Sequence, residues 1–222
     1  MARPTYPRAG EPRPAALPPA ERTVGQVVAE SIRIYGENFK RALLLGLGPA
    51  VLVVIGTHVS QNVLYALTPT LSGTVVSASY VGACVLVLKR RPPNHRLVLA
   101  WLVGWIVFVP VTFLVLAFIL PALAWLAAVG LVVPVLVVED LGPRAGLARA
   151  WQLARADYVH VLGSLATLAI VVLLTQGMLA FLLRGSGGTA LSTAFFLANV
   201  VISPLLFIGS ALLYVDQSAR LK

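Results

Sequence analysis

Charge is what this sequence has least of. Of its 222 residues only 8 are acidic and 17 are lysine or arginine, 11% charged in all, whereas a soluble domain is about a quarter charged. With 59% hydrophobic residues and a mean hydropathy of +0.89, the chain reads as an integral membrane protein of all-α class. Cysteine is nearly missing too. The lone Cys84 sits inside an apolar run, which excludes an intrachain disulfide or a thiolate metal cluster and leaves a small packing residue. The three histidines, His58, His95 and His160, fall in separate segments. There is no metal-ligand spacing, Gly-rich phosphate loop or nucleophile elbow. No catalytic residue, metal or cofactor is therefore expected. Acids are absent from the long apolar runs, which also weighs against ion-coupled transport.

What charge there is has a pattern. A net charge of +9 and a pI near 10.5 would suggest nucleic acid if the basic residues shared one exposed face. Here they sit in short clusters between apolar runs, where they act as topology signals and meet anionic lipid headgroups, so membrane lipids are the expected partners and nucleic acid is not.

The N-terminal residues 1–21 carry Pro4, Pro7, Pro12, Pro14, Pro18 and Pro19 among arginines, with no apolar core. They read as a disordered Pro/Arg-rich cytosolic tail rather than a signal peptide. From 22 to 40, Val24, Val27, Val28, Ile32, Tyr35 and Phe39 recur at helical spacing. This is an amphipathic interfacial helix with Thr23 as N-cap, too short and too charged to span a bilayer.

Six spans follow, over about 41–67, 73–88, 97–118, 121–138, 159–183 and 190–215. The third and fourth are separated because residues 97–138 would make a helix of about 63 Å, and Pro121 is the expected turn. Ala78, Ser79, Gly82 and Ala83 should permit close packing of span two, and Pro204 should kink span six. Between spans four and five, Glu139, Asp140, Gly142 and Pro143 lead into a second amphipathic segment at 144–158, with Leu147, Trp151, Ala154 and Tyr158 on one face. Tyr35, Phe39, Trp151 and Tyr158 are the expected interfacial anchors. Glu139 and Asp140 should cap a helix start and pair with Arg144 and Arg149, unless they form a partner-binding patch.

With six spans the expected cytosolic segments carry 7, 4, 3 and 2 basic residues, and only Arg184 of the 17 falls outside them. Lysine and arginine gather in cytosolic loops, so both termini are expected in the cytosol. At an offset of 119 the two amphipathic segments align Ile34 with Leu153, Asn38 with Asp157 and Phe39 with Tyr158. That repeat would be parallel, unlike the inverted repeats common in secondary transporters.

Polar side chains inside the spans are the remaining pointers. His58, Gln61, Asn62 and Tyr65, at offsets of 3, 4 and 7, fall on one face of span one, and they are the candidate ligand-binding residues of a polar pocket in its outer half. Ser192, Asn199, Ser203 and Ser210 share a face of span six and read as packing contacts. Gln176 is isolated and has no assigned role.

Three stretches carry a family likeness. TVGQVVAESIRIYGENFKRALLLGL at 23–47, VVEDLGPRAGLARAWQLARADYVHVLG at 137–163 and LLYVDQSARLK at 212–222 resemble the membrane domain of bacterial glycerophosphoryl diester phosphodiesterases and its small stand-alone relatives. The resemblance implies an all-helical domain with interfacial helices in a bacterial cytoplasmic membrane. It does not bring the phosphodiesterase activity, which in that family belongs to a separate soluble barrel. The expected function is a non-enzymatic organising or accessory role, with a possible membrane or soluble protein partner. The alternative is a small-solute or lipid transporter or channel using the pocket at His58.

Overall fold

The computed structural model describes residues 18–185 and 187–221, apart from the side chains of 57, 58, 61–68, 116 and 117. After a 3-10 turn at Pro19–Glu21 come nine helices among the described residues: α1 Val24–Glu37, α2 Phe39–His58, α3 Gln61–Leu88, α4 Asn94–Ala117, α5 Ile119–Val129, α6 Val132–Val138, α7 Pro143–Ala156, α8 Tyr158–Leu182 and α9 Gly188–Arg220. No strand occurs among them. Most of the proline-rich tail lies outside the described residues, and its last part, Pro19–Glu21, is ordered as the 3-10 turn.

Six segments are long and apolar enough to cross a membrane: Phe39–Gly56, Pro69–Leu88, Asn94–Val115, Ile119–Val138, Tyr158–Leu182 and Gly188–Arg220. The chain is an integral membrane protein. Proline decides where several of these helices depart from expectation. The first connection is at Val59 and Ser60, both extended, and not at 68–72. Serine suits an N-cap, whereas Pro69 is carried inside α3, as membrane helices allow when neighbours satisfy the freed carbonyl. Between α4 and α5 the chain turns at extended Phe118, with Pro121 in the first turn of α5, close to the expected place. Span four is broken in two. Pro134 has no N–H for the carbonyl of Gly130 and its ring crowds that carbonyl, so the helix parts at Gly130 and Leu131.

Pro204 frees the carbonyl of Val200 in the same way. There α2 comes in against α9: a Cβ added to Gly46 would overlap that carbonyl group, 2.8 Å from its carbon. Glycine thus lets two backbones meet where one lacks a hydrogen bond. Helices α3 and α4 are joined by indole rungs, with Trp101 Nε1 donating to Thr74 O at 3.0 Å and Trp105 Nε1 to Thr70 O at 3.2 Å. Of the small residues on α3, Ala83 and Ser79 are buried and Gly82 rests on Leu45, while Ala78 is exposed.

The amphipathic helices pack on the bundle largely through small residues and leave part of their apolar faces outward. Helix α1 begins at Thr23, whose N–H donates to Gln26 Oε1 at 2.7 Å. It buries Val27 and Ser31 and leaves Ile32 exposed, as is Phe39 at the start of α2. Helix α7 buries Gly146, Ala150, Leu153 and Ala154, and turns Leu147 and Trp151 outward with Arg144 and Arg155. Small residues make the better inner face because they let α7 approach α6, where a Cβ on Gly146 would stand 2.7 Å from Leu136 Cδ2.

Candidate functional site

Apart from Arg184 in the α8–α9 connection, the charged residues among those described gather toward one end of the bundle. Asp216, one turn from the end of α9, is fully buried, and its Oδ1 accepts from Arg22 Nη1 at 2.8 Å. Arg220 donates to Asp157 Oδ2 at 2.5 Å and to the carbonyl of Arg22 at 2.8 Å. Asp157 in turn caps α8, its Oδ1 accepting from the His160 N–H at 3.0 Å. Two arginines and two aspartates thereby tie both described ends of the chain to the start of α8.

Inside that clasp lie buried polar atoms that have no hydrogen-bond partner: His160 Nε2, Ser164 Oγ, Asp216 Oδ2 and both amide atoms of Gln217. His160 Nε2 stands 3.9 Å from Asp216 Oδ2, too far for a direct hydrogen bond. In the sequence this group is hidden, with His160 one of three scattered histidines and Asp216 part of a terminal stretch. The available signal was an acid–amide pair ending an apolar run with arginine four residues on.

A second knot holds the junction between spans four and five. Glu139 accepts from the Tyr214 hydroxyl at 3.1 Å and from Arg149 Nε at 3.4 Å. Asp140 pairs with Arg96 rather than with Arg144, and Arg96 also donates to the carbonyls of Glu139 and Leu141, at 3.4 Å each. Arg96 comes from the start of α4, a partner that local sequence could not indicate. On α1, the Arg33 guanidinium bonded to Glu30 holds that carboxyl below its ordinary range, and partial burial pushes the Tyr35 phenol up.

Just inside the clasp is an apolar cavity of about 170 Å³ among α3, α4, α5, α8, α9 and the link at Gly130 and Leu131. Its polar side chains are Tyr80 and Ser210, whose hydroxyls are turned to the carbonyls of Ser210, at 3.3 Å, and Leu206, at 2.7 Å. At the opposite end an open cleft of about 640 Å³ runs between Val54 of α2 and the first turns of α9, Gly188 to Phe196.

No family model, curated protein or solved structure matches this chain. The residues singled out from the sequence stand as follows. His58 ends α2, whereas Gln61, Asn62 and Tyr65 begin α3. The four do not share one helix, because the chain turns between them, and their side chains lie outside the described ones. Of the expected anchors, Trp151 and Phe39 are exposed, Tyr35 meets Phe39 edge-on at 5.5 Å, and Tyr158 is half-buried with its hydroxyl donating to Ala124 O at 2.9 Å. Arg155 lies over the Trp151 ring at 5.6 Å. Gln176, which had no assigned role, donates to Asn199 Oδ1 at 3.1 Å and links α8 to α9.

Proposed function

We propose that this is a non-enzymatic accessory protein of a bacterial cytoplasmic membrane, with both termini in the cytosol, that organises neighbouring membrane components through its charged end. The observation carrying this reading is the convergence of Arg22, Arg96, Arg149 and Arg220 on Asp216, Asp140, Glu139 and Asp157 at one end of the bundle. The rule that basic residues stay on the cytosolic side then assigns that end to the cytosol. The outward pairing of Leu147 and Trp151 with Arg144 and Arg155 on α7 supports contact with anionic headgroups or a protein partner there. The likeness to the membrane domain of glycerophosphoryl diester phosphodiesterases is part of the proposal and rests on the three stretches quoted above.

The test is cross-linking in intact membranes followed by affinity purification. A defined protein recovered with the chain, and lost with Arg144→Glu and Arg155→Glu, supports the accessory role. A second reading, small-solute or lipid transport, draws on the open cleft beside the end of α2. Recovery of the chain alone, together with solute flux in reconstituted vesicles, would replace the first reading by the second.

A further inference from the structure

The apolar cavity behind the clasp has a chemistry and a depth that select its occupant. Its volume is about 170 Å³. A dry apolar cavity of about 150 Å³ accepts benzene, so this one has room for a segment of about six carbons. Water is a poor occupant, since it needs two or more polar partners, and the hydroxyls of Tyr80 and Ser210 are already turned to carbonyls.

The depth follows from the helices that line it. On α9 the lining residue Leu213 comes just before Asp216, and on α8 Val161 adjoins His160. The cavity therefore begins next to the charged edge and runs inward, at the level of a leaflet's hydrocarbon chains. Its wall residues Val111, Leu126, Ala169 and Leu206 are only partly buried. On α8, Tyr158 continues the row of Val161, Leu165 and Ala169 toward the charged end, at spacings of three and four residues. Three residues before it is Arg155, lying over Trp151 on the outward face of α7. A phospholipid of this leaflet whose acyl chain enters from the side, past the partly buried Val111, Leu126, Ala169 and Leu206, has its headgroup at the level of the charged end. There the exposed Arg155 and Trp151 offer a guanidinium and an indole suited to an anionic headgroup.

We infer that the cavity is a binding site for one acyl chain of an anionic bilayer phospholipid, with Arg155 and Trp151 at its headgroup end. This inference needs only the membrane location, so it stands or falls independently of the accessory role.

The experiment reconstitutes the full chain in vesicles containing phosphatidylglycerol with a diazirine on one acyl chain, followed by photolysis and mapping of the labelled peptides. Adducts on Val161–Leu165 and Leu206–Leu213 are expected, and they should be lost when Ala169→Trp fills the cavity. Label confined to lipid-facing side chains such as Phe113 and Leu174, both exposed, would overturn the inference. So would cavity label that is unchanged in Ala169→Trp. The wild-type map decides on its own if that variant does not fold. Phosphatidylcholine with the same diazirine chain should label the cavity less, and equal labelling would overturn the anionic preference. Diazirine-bearing free fatty acid is the third arm: if it labels the cavity and the phospholipids do not, a phospholipid is not the ligand.

Discussion

Arg22 donates to Asp216 at 2.8 Å across 194 residues of chain, and the aspartate is fully buried. A carboxylate in that position is tolerated because a guanidinium, itself only 11% exposed, is held against it by the turn that opens α1. The pair closes the bundle by joining the chain's first described turn to the last turns of its last helix.

Removing one partner of such a pair costs about 3–5 kcal/mol, since it strands the other charge. Arg22→Met should therefore destabilise the purified protein strongly, as read by thermal unfolding in detergent. Arg22→Met with Asp216→Asn should recover part of the loss. If the double variant is no more stable than Arg22→Met alone, the carboxylate is not the stranded group.

The contact of Gly46 with the Val200 carbonyl makes a contrast between two glycines. Gly46→Ala forces a methyl into a backbone carbonyl that Pro204 has left without its helical donor. A cost of about 1–3 kcal/mol is expected, as for overpacking. Gly36, inside α1, has nothing within 4 Å of an added Cβ. There alanine should stabilise by about 0.5–1 kcal/mol through helix propensity. Equal effects of the two substitutions in the same unfolding assay would mean that α2 and α9 are not in backbone contact.

The hydrogen bond from Gln176 to Asn199 predicts a measurable coupling between α8 and α9. Bonds of this kind between membrane helices average about 0.6 kcal/mol in double-mutant cycles. The cycle of Gln176→Leu, Asn199→Leu and the double variant should return a coupling of that order and of stabilising sign. Additive losses would place the two amides apart.

These contacts also mark how far the sequence could be read. Long apolar runs alternating with basic clusters dictate the number of spans, because hydrocarbon demands helices and charge resists crossing. Proline was harder to read. Pro69 falls in the gap expected between spans one and two yet lies inside α3, while Pro134 splits span four, since whether a freed carbonyl is tolerated depends on what packs beside it. Which face of α7 packs on the bundle is not legible, because Gly146 and Ala150 are bland residues in the sequence although they set how closely helices approach. Arg22 and Arg96 could not be matched to Asp216 and Asp140 from sequence, for those pairs exist only once the bundle has brought distant segments together.

The turn at Val59 and Ser60 gives a direct check on orientation. Cys84 is fully buried, so its thiol is expected to stay silent toward an impermeant maleimide, and single cysteines can be placed in a Cys84→Ala background. Ser60 and Gly185 are exposed in the connections α2–α3 and α8–α9, at the end of the bundle opposite the clasp. Asn94 and Leu221 are exposed at the clasp end. If the basic end is cytosolic, Ser60→Cys and Gly185→Cys react in intact cells, while Asn94→Cys and Leu221→Cys react only after permeabilisation. The reverse pattern would invert the protein in the membrane. A mixed pattern, with Ser60→Cys and Gly185→Cys on different sides, would break the six-span topology, because an even number of crossings must separate those two connections.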